Sequence, residues 1–158
     1  MDFVPATPTA GAELLLDTCV YIDLLQGRTP PEVDRLLGLR ILNHSTIALA
    51  ELTHLFGRLD PAHATTRAAL ARVSQAIEMI PPHRLSAPSP RVFAEAGMLA
   101  GLVARLSGDA SSPTLLMDAL LMLHAVESGQ VLVTRNIKDF DRLQQLEPRS
   151  RVILYRQV

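Results

Sequence analysis

The chain has 158 residues, of which 48% are hydrophobic and 20% charged, which suits one folded domain and excludes a disordered protein. Its formal net charge of −1 excludes a uniformly basic nucleic-acid binder, so a nucleic-acid enzyme would need a local basic surface. A single cysteine, Cys19, excludes an internal disulfide, and no apolar run reaches the roughly 18 residues of a membrane span. With no signal peptide recognisable, we expect a cytoplasmic protein with no membrane contact.

Residues 1–13 contain two prolines and a glycine and are predicted as a flexible N-terminal extension, whereas residues 14–158 are predicted as a single domain. The apolar run 14–16 indicates a strand buried on both faces. A short helix is predicted over 18–25, and a pair of prolines at 30–31 opens the next helix.

Further along, a strand is predicted around 40–45, and Ser45 or Thr46 is the candidate cap of the following helix. The remaining predicted elements are a helix over 64–77, a strand over 78–81, a helix over 91–106 ended by Gly108, a helix from Ser112-Pro113 to about 128, a strand over 131–133, a helical turn over 139–143 and a strand over 151–155. Alternating strands and helices predict an α/β fold with a mostly parallel sheet covered on both faces.

Four carboxylates occupy notable places in this order. Asp17 ends the first buried strand, Glu51 lies early in the helix after the second, and Asp139 follows the strand at 131–133. Because ligands bind beyond the carboxyl ends of parallel strands, these acids are expected near one edge of the sheet. Asp118 lies in an apolar helix, where an unpaired carboxylate is costly to bury. A helix cap or a buried arginine partner is the alternative for Asp17 and Asp118, although a cap is disfavoured for Asp118 because apolar residues continue on both sides of it.

Four carboxylates within about 5 Å would repel one another by on the order of 3 kcal/mol per pair at an effective dielectric constant of about 20. Such a cluster binds protons or recruits a cation, and an all-oxygen ligand set favours Mg²⁺ or Mn²⁺. These ions support phosphodiester hydrolysis. Glu51 alone would fit a solvated helix surface, and Asp141 is an alternative to Asp139 as the fourth acid.

The sequence resembles the PIN-domain ribonucleases, and within them the VapC-type toxins of bacterial toxin–antitoxin pairs, over about residues 14–155. Four motifs in the family's order carry the resemblance: Leu14-Leu15-Leu16-Asp17-Thr18, Ser45-Thr46-Ile47-Ala48-Leu49-Ala50-Glu51-Leu52, Met117-Asp118-Ala119-Leu120-Leu121 and Val133-Thr134-Arg135-Asn136-Ile137-Lys138-Asp139-Phe140. The resemblance implies a three-layer α/β/α PIN-like fold and Mg²⁺-dependent cleavage of RNA.

The resemblance also implies roles for particular residues. It makes four residues the catalytic and metal-binding acids: Asp17, Glu51, Asp118 and Asp139. Three further residues would line the site and hold these carboxylates by hydrogen bonds: Thr18, Thr134 and Asn136. It further implies a homodimer and a VapB-type antitoxin that blocks the site. Cys19 departs from the family, which commonly has Asn or Ser there.

Two other classes of protein remain open from the sequence. A phosphatase of the haloacid-dehalogenase kind would need a second Asp two residues after the nucleophilic one, and Cys19 occupies that position. A catalytically silent binding module with the PIN fold would have no reason to keep all four acids. His54 forms a Glu-x-x-His pair with Glu51, but no second pair accompanies it, so a His metal ligand is not favoured.

Overall fold

The computed structural model describes residues 2–60, 62–108 and 113–158. Within these ranges the chain forms six strands and seven α-helices, in this order: β1 (Asp2–Phe3), β2 (Leu14–Leu16), α1 (Thr18–Gln26), α2 (Pro31–Leu39), β3 (Leu42–Ser45), α3 (Thr46–Arg58), α4 (Ala64–Glu78), β4 (Leu85–Ser86), α5 (Pro90–Ser107), α6 (Pro113–Glu127), β5 (Val131–Thr134), α7 (Ile137–Leu146) and β6 (Val152–Leu154). The strands form one parallel sheet in the order β1-β6-β5-β2-β3-β4, which confirms the predicted α/β fold.

Helices cover both faces of the sheet, as the apolar runs Leu14–Leu16 and 131–133 in its central strands require. Side chains of β2 alternate between two cores: Leu15 packs with α5, α6 and α7, whereas Leu14 and Leu16 pack with α1 and α2. Strand β5 does the same, with Leu132 on the first face and its apolar neighbours on the second. The continuous apolar runs therefore correspond to strands buried on both sides, as predicted.

Local signals set the helix ends. Ser45 is the cap of α3, since its hydroxyl accepts a hydrogen bond from the backbone N–H of Ile47 at 3.1 Å. Gly108 follows α5 with a φ of 69°, a left-handed conformation that favours glycine, and so ends the helix as predicted. The predicted helix start at Ser112 lies outside the described residues, but α6 is helical from Pro113 onward.

Two elements differ from the sequence prediction. The strand predicted over 78–81 is wrong: helix α4 continues to Glu78, and the strand in question lies later, at Leu85–Ser86. The prolines at 81 and 82 begin a short 3-10 helix instead, because proline restricts the backbone and offers no N–H to a sheet. Strand β1 was not predicted, and it pairs with β6 from within the segment expected to be a flexible extension.

No α-helix in the described ranges is long and apolar enough to cross a membrane.

Candidate active site

Asp17 stands at the carboxyl end of the central strand β2, where the chain turns into helix α1. Its backbone N–H still bonds to the carbonyl of Val133 in β5, at 3.1 Å, so the position of its backbone is fixed by the sheet. Its Oδ2 accepts hydrogen bonds from the Thr134 hydroxyl at 2.5 Å and from the Cys19 thiol at 3.0 Å. Burial raises the pKa of Asp17, and these two hydrogen bonds partly oppose the shift.

Asp118 is supplied by helix α6, which is apolar and buried on nearly every side. The helix places this carboxylate beside the edge where β2 and β5 end. Burial raises the pKa of Asp118 to about 8, with the charges of Asp17, Asp139 and Glu51 adding to the shift in that order. These surroundings therefore favour the protonated form of this carboxyl group near neutral pH when no cation is bound.

Glu51 reaches the site from the second turn of α3. The Thr18 hydroxyl donates a hydrogen bond to its Oε2, which ties the start of α1 to α3. Burial raises the pKa of Glu51, the Thr18 hydrogen bond lowers it, and the charge of Asp17 raises it further. Glu51 therefore belongs to the same group of charges as Asp17 and Asp118, and the alternative of a solvated helix residue does not hold.

Asp139 lies in the first turn of α7 and is joined to Asp118 through one side-chain amide. The Asn136 Nδ2 atom donates to Asp118 Oδ2 at 3.0 Å and to Asp139 Oδ2 at 3.1 Å. Asn136 also begins α7, because its side-chain oxygen accepts from the backbone N–H of Asp139. Asp141, the alternative fourth acid, instead accepts a hydrogen bond from Gln145 at an exposed position on α7.

The structure thus brings together all seven residues that the sequence singled out. We call the four acids Asp17, Glu51, Asp118 and Asp139 the acidic cluster; Thr18, Thr134 and Asn136 each donate a hydrogen bond to one or more of them. Every atom of the acidic cluster that could bind a metal ion is a carboxylate oxygen, which is the ligand type that Mg²⁺ and Mn²⁺ prefer. Like charges held close together, two of them buried, are the electrostatic setting that a divalent cation stabilises.

The four carboxylates lie near one another, but they do not converge on one point. Among the residues in the described ranges, no three His, Cys, Asp or Glu side chains are arranged to hold a metal ion as they stand. The amide of Asn136 lies between two of the carboxylates, and mutual repulsion keeps such groups apart in the absence of a counter-charge. The donor chemistry of these residues nevertheless fits a hard divalent cation.

One buried group beside the cluster was missed from the sequence. Asp23, in helix α1, is completely buried. It accepts hydrogen bonds from Tyr155 at 2.8 Å and Gln157 at 2.7 Å, and Arg135 Nε lies 3.0 Å from its carboxylate. The available signal was its apolar setting in α1, the same feature that marked Asp17 and Asp118.

The chain is similar to known proteins in its structure. No protein-family model and no curated protein sequence matches the chain. A chain of VapBC2 from Rickettsia felis, solved bound to a DNA fragment from their promoter, matches with a TM-score of 0.63 and 19% identity over 90% of this chain and 98% of that one. DNA-bound VapBC from Salmonella typhimurium matches with a TM-score of 0.63 and 23% identity, over 90% and 97% of the two chains.

A toxin-antitoxin complex from Klebsiella pneumoniae also matches, with a TM-score of 0.51 and 22% identity over 81% of this chain and 90% of that one. Because the matches span nearly the whole of both chains, they concern the complete sheet and its helices rather than a shared fragment. They establish that the chain has the PIN-like α/β/α fold that the sequence motifs predict.

Proposed function

We propose that the chain is a Mg²⁺- or Mn²⁺-dependent endoribonuclease that acts as the toxin of a type II toxin–antitoxin pair. The observation that carries the proposal is the acidic cluster at the carboxyl edge of the sheet. Four elements each supply one carboxylate, and the charges of the other three raise the pKa of Asp118 to about 8, after the larger effect of burial. An arrangement that favours protonation of a buried acid is unfavourable for folding, and it is explained by a cation that binds during function.

In this proposal the four acids have different roles, according to how firmly each side chain is held. Asp17 and Asp118 would be the main metal ligands, since both are buried and both accept side-chain hydrogen bonds. Glu51 would orient the attacking water, with Thr18 fixing its carboxylate, and Asp139 would complete the ligand set. A bound divalent cation supplies polarisation of the phosphoryl oxygen and a hydroxide nucleophile at neutral pH.

The proposed partners rest on the structural neighbours. Those neighbours are VapBC complexes and a complex described as toxin-antitoxin, so we propose that this chain binds an antitoxin of the VapB type. A homodimer and an RNA substrate are part of the same proposal and come from the resemblance of the four motifs. The apolar side chains exposed on α5, among them Met98 and Leu106, are consistent with a protein partner.

The activity is tested by incubating the purified chain with single-stranded RNA and Mg²⁺ or Mn²⁺. We expect cleavage that excess EDTA abolishes and that Asp17→Asn or Asp118→Asn lowers by at least about 100-fold, because each removes a proposed metal ligand. Asp141→Asn is the matched control: it removes a carboxylate from the same helix as Asp139 and should leave the rate unchanged. Full wild-type activity in EDTA, or hydrolysis of small phosphomonoesters without RNA cleavage, would contradict the proposal.

The toxin role needs a separate experiment in cells. Inducible expression of the wild-type chain should arrest growth, and expression of Asp17→Asn to the same level should not. Equal growth of the two strains at matched protein levels would contradict the toxin role while leaving the nuclease activity to the test above.

A further inference from the structure

A second group of polar side chains lies next to the acidic cluster and is not used by the proposed metal chemistry. Its centre is Asp23, whose carboxylate is fully buried and accepts hydrogen bonds from Tyr155 and Gln157. These two residues follow β6, and the backbone N–H of Tyr155 bonds to the carbonyl of Thr134 at 3.2 Å, so they hold the carboxylate beside the end of β5. The remaining neighbour of Asp23 is Arg135.

The Nε atom of Arg135 is held in the protein, whereas the terminal nitrogens of its guanidinium are accessible. Its Nε atom is buried and lies 3.0 Å from Asp23 Oδ2, but the N–H does not point at a hydrogen-bond acceptor, so charge rather than a directed hydrogen bond holds the pair. The side chain as a whole is 37% exposed. Among the residues that the structure describes, the two terminal nitrogens of Arg135 make no hydrogen bond, which leaves the planar end of the guanidinium available to a ligand.

The backbone of Arg135 belongs to the acidic cluster itself. It lies between Thr134, which donates to Asp17, and Asn136, which donates to Asp118 and Asp139. Its own N–H donates to the Cys19 sulfur at 3.4 Å. The guanidinium therefore starts from a fixed point at the rim of the cluster rather than from a mobile surface loop.

Charge around the cluster is strongly one-sided. Helices α1 and α6, which supply or flank two of the acids, contain no Lys or Arg, and α3 has only Arg58 in its last turn. The basic residues closest in sequence to Asp139 follow β5, and of these Arg135 has its backbone N–H bonded to Cys19 beside Asp17. A polyanionic strand approaching four carboxylates needs a nearby cation, and an arginine fork can bind a phosphate through two hydrogen bonds.

We infer that Arg135, with its base anchored to buried Asp23, binds a backbone phosphate of single-stranded RNA at the rim of the acidic cluster. This inference rests on the proposed ribonuclease function. It adds a substrate-binding residue that the metal chemistry does not require, and it gives Asp23, Tyr155 and Gln157 a common purpose. The phosphate bound would be adjacent to the scissile one, because the backbone of Arg135 lies among residues that hold the metal-binding acids.

The test compares RNA binding and cleavage in matched variants. Binding of a short, fluorescein-labelled, single-stranded RNA of mixed sequence is measured by anisotropy at several salt concentrations, in the Asp17→Asn background to prevent cleavage. Each phosphate contact with single-stranded nucleic acid contributes about 0.7 to the slope of log K against log salt concentration. Arg135→Gln should lower the slope by about 0.7 and raise KM about 10-fold in the otherwise wild-type chain, with kcat little changed.

Three further variants separate phosphate binding from structural support. Arg135→Lys keeps the charge and should keep the slope. The double variant Asp23→Asn/Arg135→Gln removes both charges, avoids an unpaired buried carboxylate and should show the same reduced slope as Arg135→Gln. Arg151→Gln, just before β6 at the amino edge of the sheet, loses the same charge far from the cluster and should leave slope and KM unchanged.

The outcomes distinguish this inference from the proposed function. If the wild-type chain cleaves RNA but a folded Arg135→Gln variant retains the wild-type slope and KM, the inference is overturned and the ribonuclease proposal stands. If Arg151→Gln reduces the slope as much as Arg135→Gln, the effect is one of total charge and the inference is again overturned. If the wild-type chain cleaves no RNA with either metal, the proposed function fails first.

Discussion

The molecule buries carboxylates in two adjacent regions, and the partners of these carboxylates differ between the two. Around Asp23, each oxygen has a hydrogen-bond donor and a guanidinium lies within ion-pair distance. In the acidic cluster, by contrast, the acids are surrounded by one another and by neutral donors from Thr18, Thr134 and Asn136. The first arrangement satisfies a buried charge internally, whereas the second leaves negative charge that only protons or an added cation can neutralise.

This difference separates structural from functional burial. Replacing a paired carboxylate such as Asp23 destabilises the fold, because its hydrogen-bond donors and its arginine lose their partner. Removing the charge of a carboxylate that is held among like charges, such as Asp118, stabilises the fold. The two regions therefore predict stability changes of opposite sign for the same chemical substitution, Asp to Asn.

The largest loss of stability is expected for Asp23→Asn. The amide has one acceptor oxygen where the carboxylate has two, so Tyr155, Gln157 and Arg135 cannot all be satisfied. We expect a loss of about 3 kcal/mol in the free energy of unfolding, measured by urea denaturation followed by circular dichroism. Asp141→Asn, at the exposed side of α7, should change stability by less than about 0.5 kcal/mol. An unchanged midpoint for Asp23→Asn would show that this group does not stabilise the fold.

The second prediction reverses the sign. In EDTA at pH 8, Asp118→Asn should raise the free energy of unfolding by on the order of 3 kcal/mol. A shift of about four pKa units corresponds to roughly 6 kcal/mol, and part of this is offset because Asn136 loses a charged hydrogen-bond acceptor. The pKa of Asp118 is raised from 3.8 to about 8, so between these values the folded chain holds a proton that the unfolded chain releases. Its stability therefore falls as pH rises through this window, and the asparagine variant lacks that loss.

The same measurement has an internal control in pH and in metal. At pH 4 the difference between wild type and Asp118→Asn should be close to zero, because the carboxyl is mostly protonated in the folded chain and about half protonated in the unfolded one. Adding Mg²⁺ at pH 8 should stabilise the wild type more than the variant. A variant that is less stable than the wild type at every pH would mean that Asp118 is paired like Asp23, which would contradict the contrast drawn between the two regions.

Much of this arrangement follows from local sequence features. The runs Leu14–Leu16 and 131–133 are apolar at each position, and only a strand covered on both faces satisfies such a pattern in so few residues. Because parallel strands bring their carboxyl ends to one edge, the placement of Asp17 and Asp139 followed from the strands alone. The apolar flanks of Asp118 marked it as a buried acid before any contact was known.

Other features depend on contacts that no local pattern records. Asp23 and Tyr155 are 132 residues apart, and nothing in either segment indicates that they bond. The two-residue strands β1 and β4 are too short for any period-2 signal, and their pairing is decided by the neighbouring strands β6 and β3. His124 is buried and bonds to serines on β3 and β4, which are 79 and 38 residues away in the sequence.

The smallest expected effect belongs to Cys19, which lies between the two regions. Its thiol donates to Asp17 Oδ2 at 3.0 Å, and it contributes to the raised pKa of Tyr155, after the larger effect of burial. Burial also raises the pKa of the thiol, so it acts as a neutral donor rather than as a nucleophile. Cys19→Ser keeps a donor of similar size at this place, and RNA cleavage should stay within about threefold of wild type.

Cys19→Val is the matched comparison, because it fills the space without donating a hydrogen bond. Losing one donor to Asp17 favours the protonated carboxyl further, so we expect about a 10-fold lower cleavage rate at limiting Mg²⁺ and a smaller loss at saturating Mg²⁺. That dependence on metal concentration assigns the effect to the ligand set rather than to folding. If the serine and valine variants cleave RNA equally well, the thiol contributes nothing, and Thr134 alone is the side chain that orients Asp17.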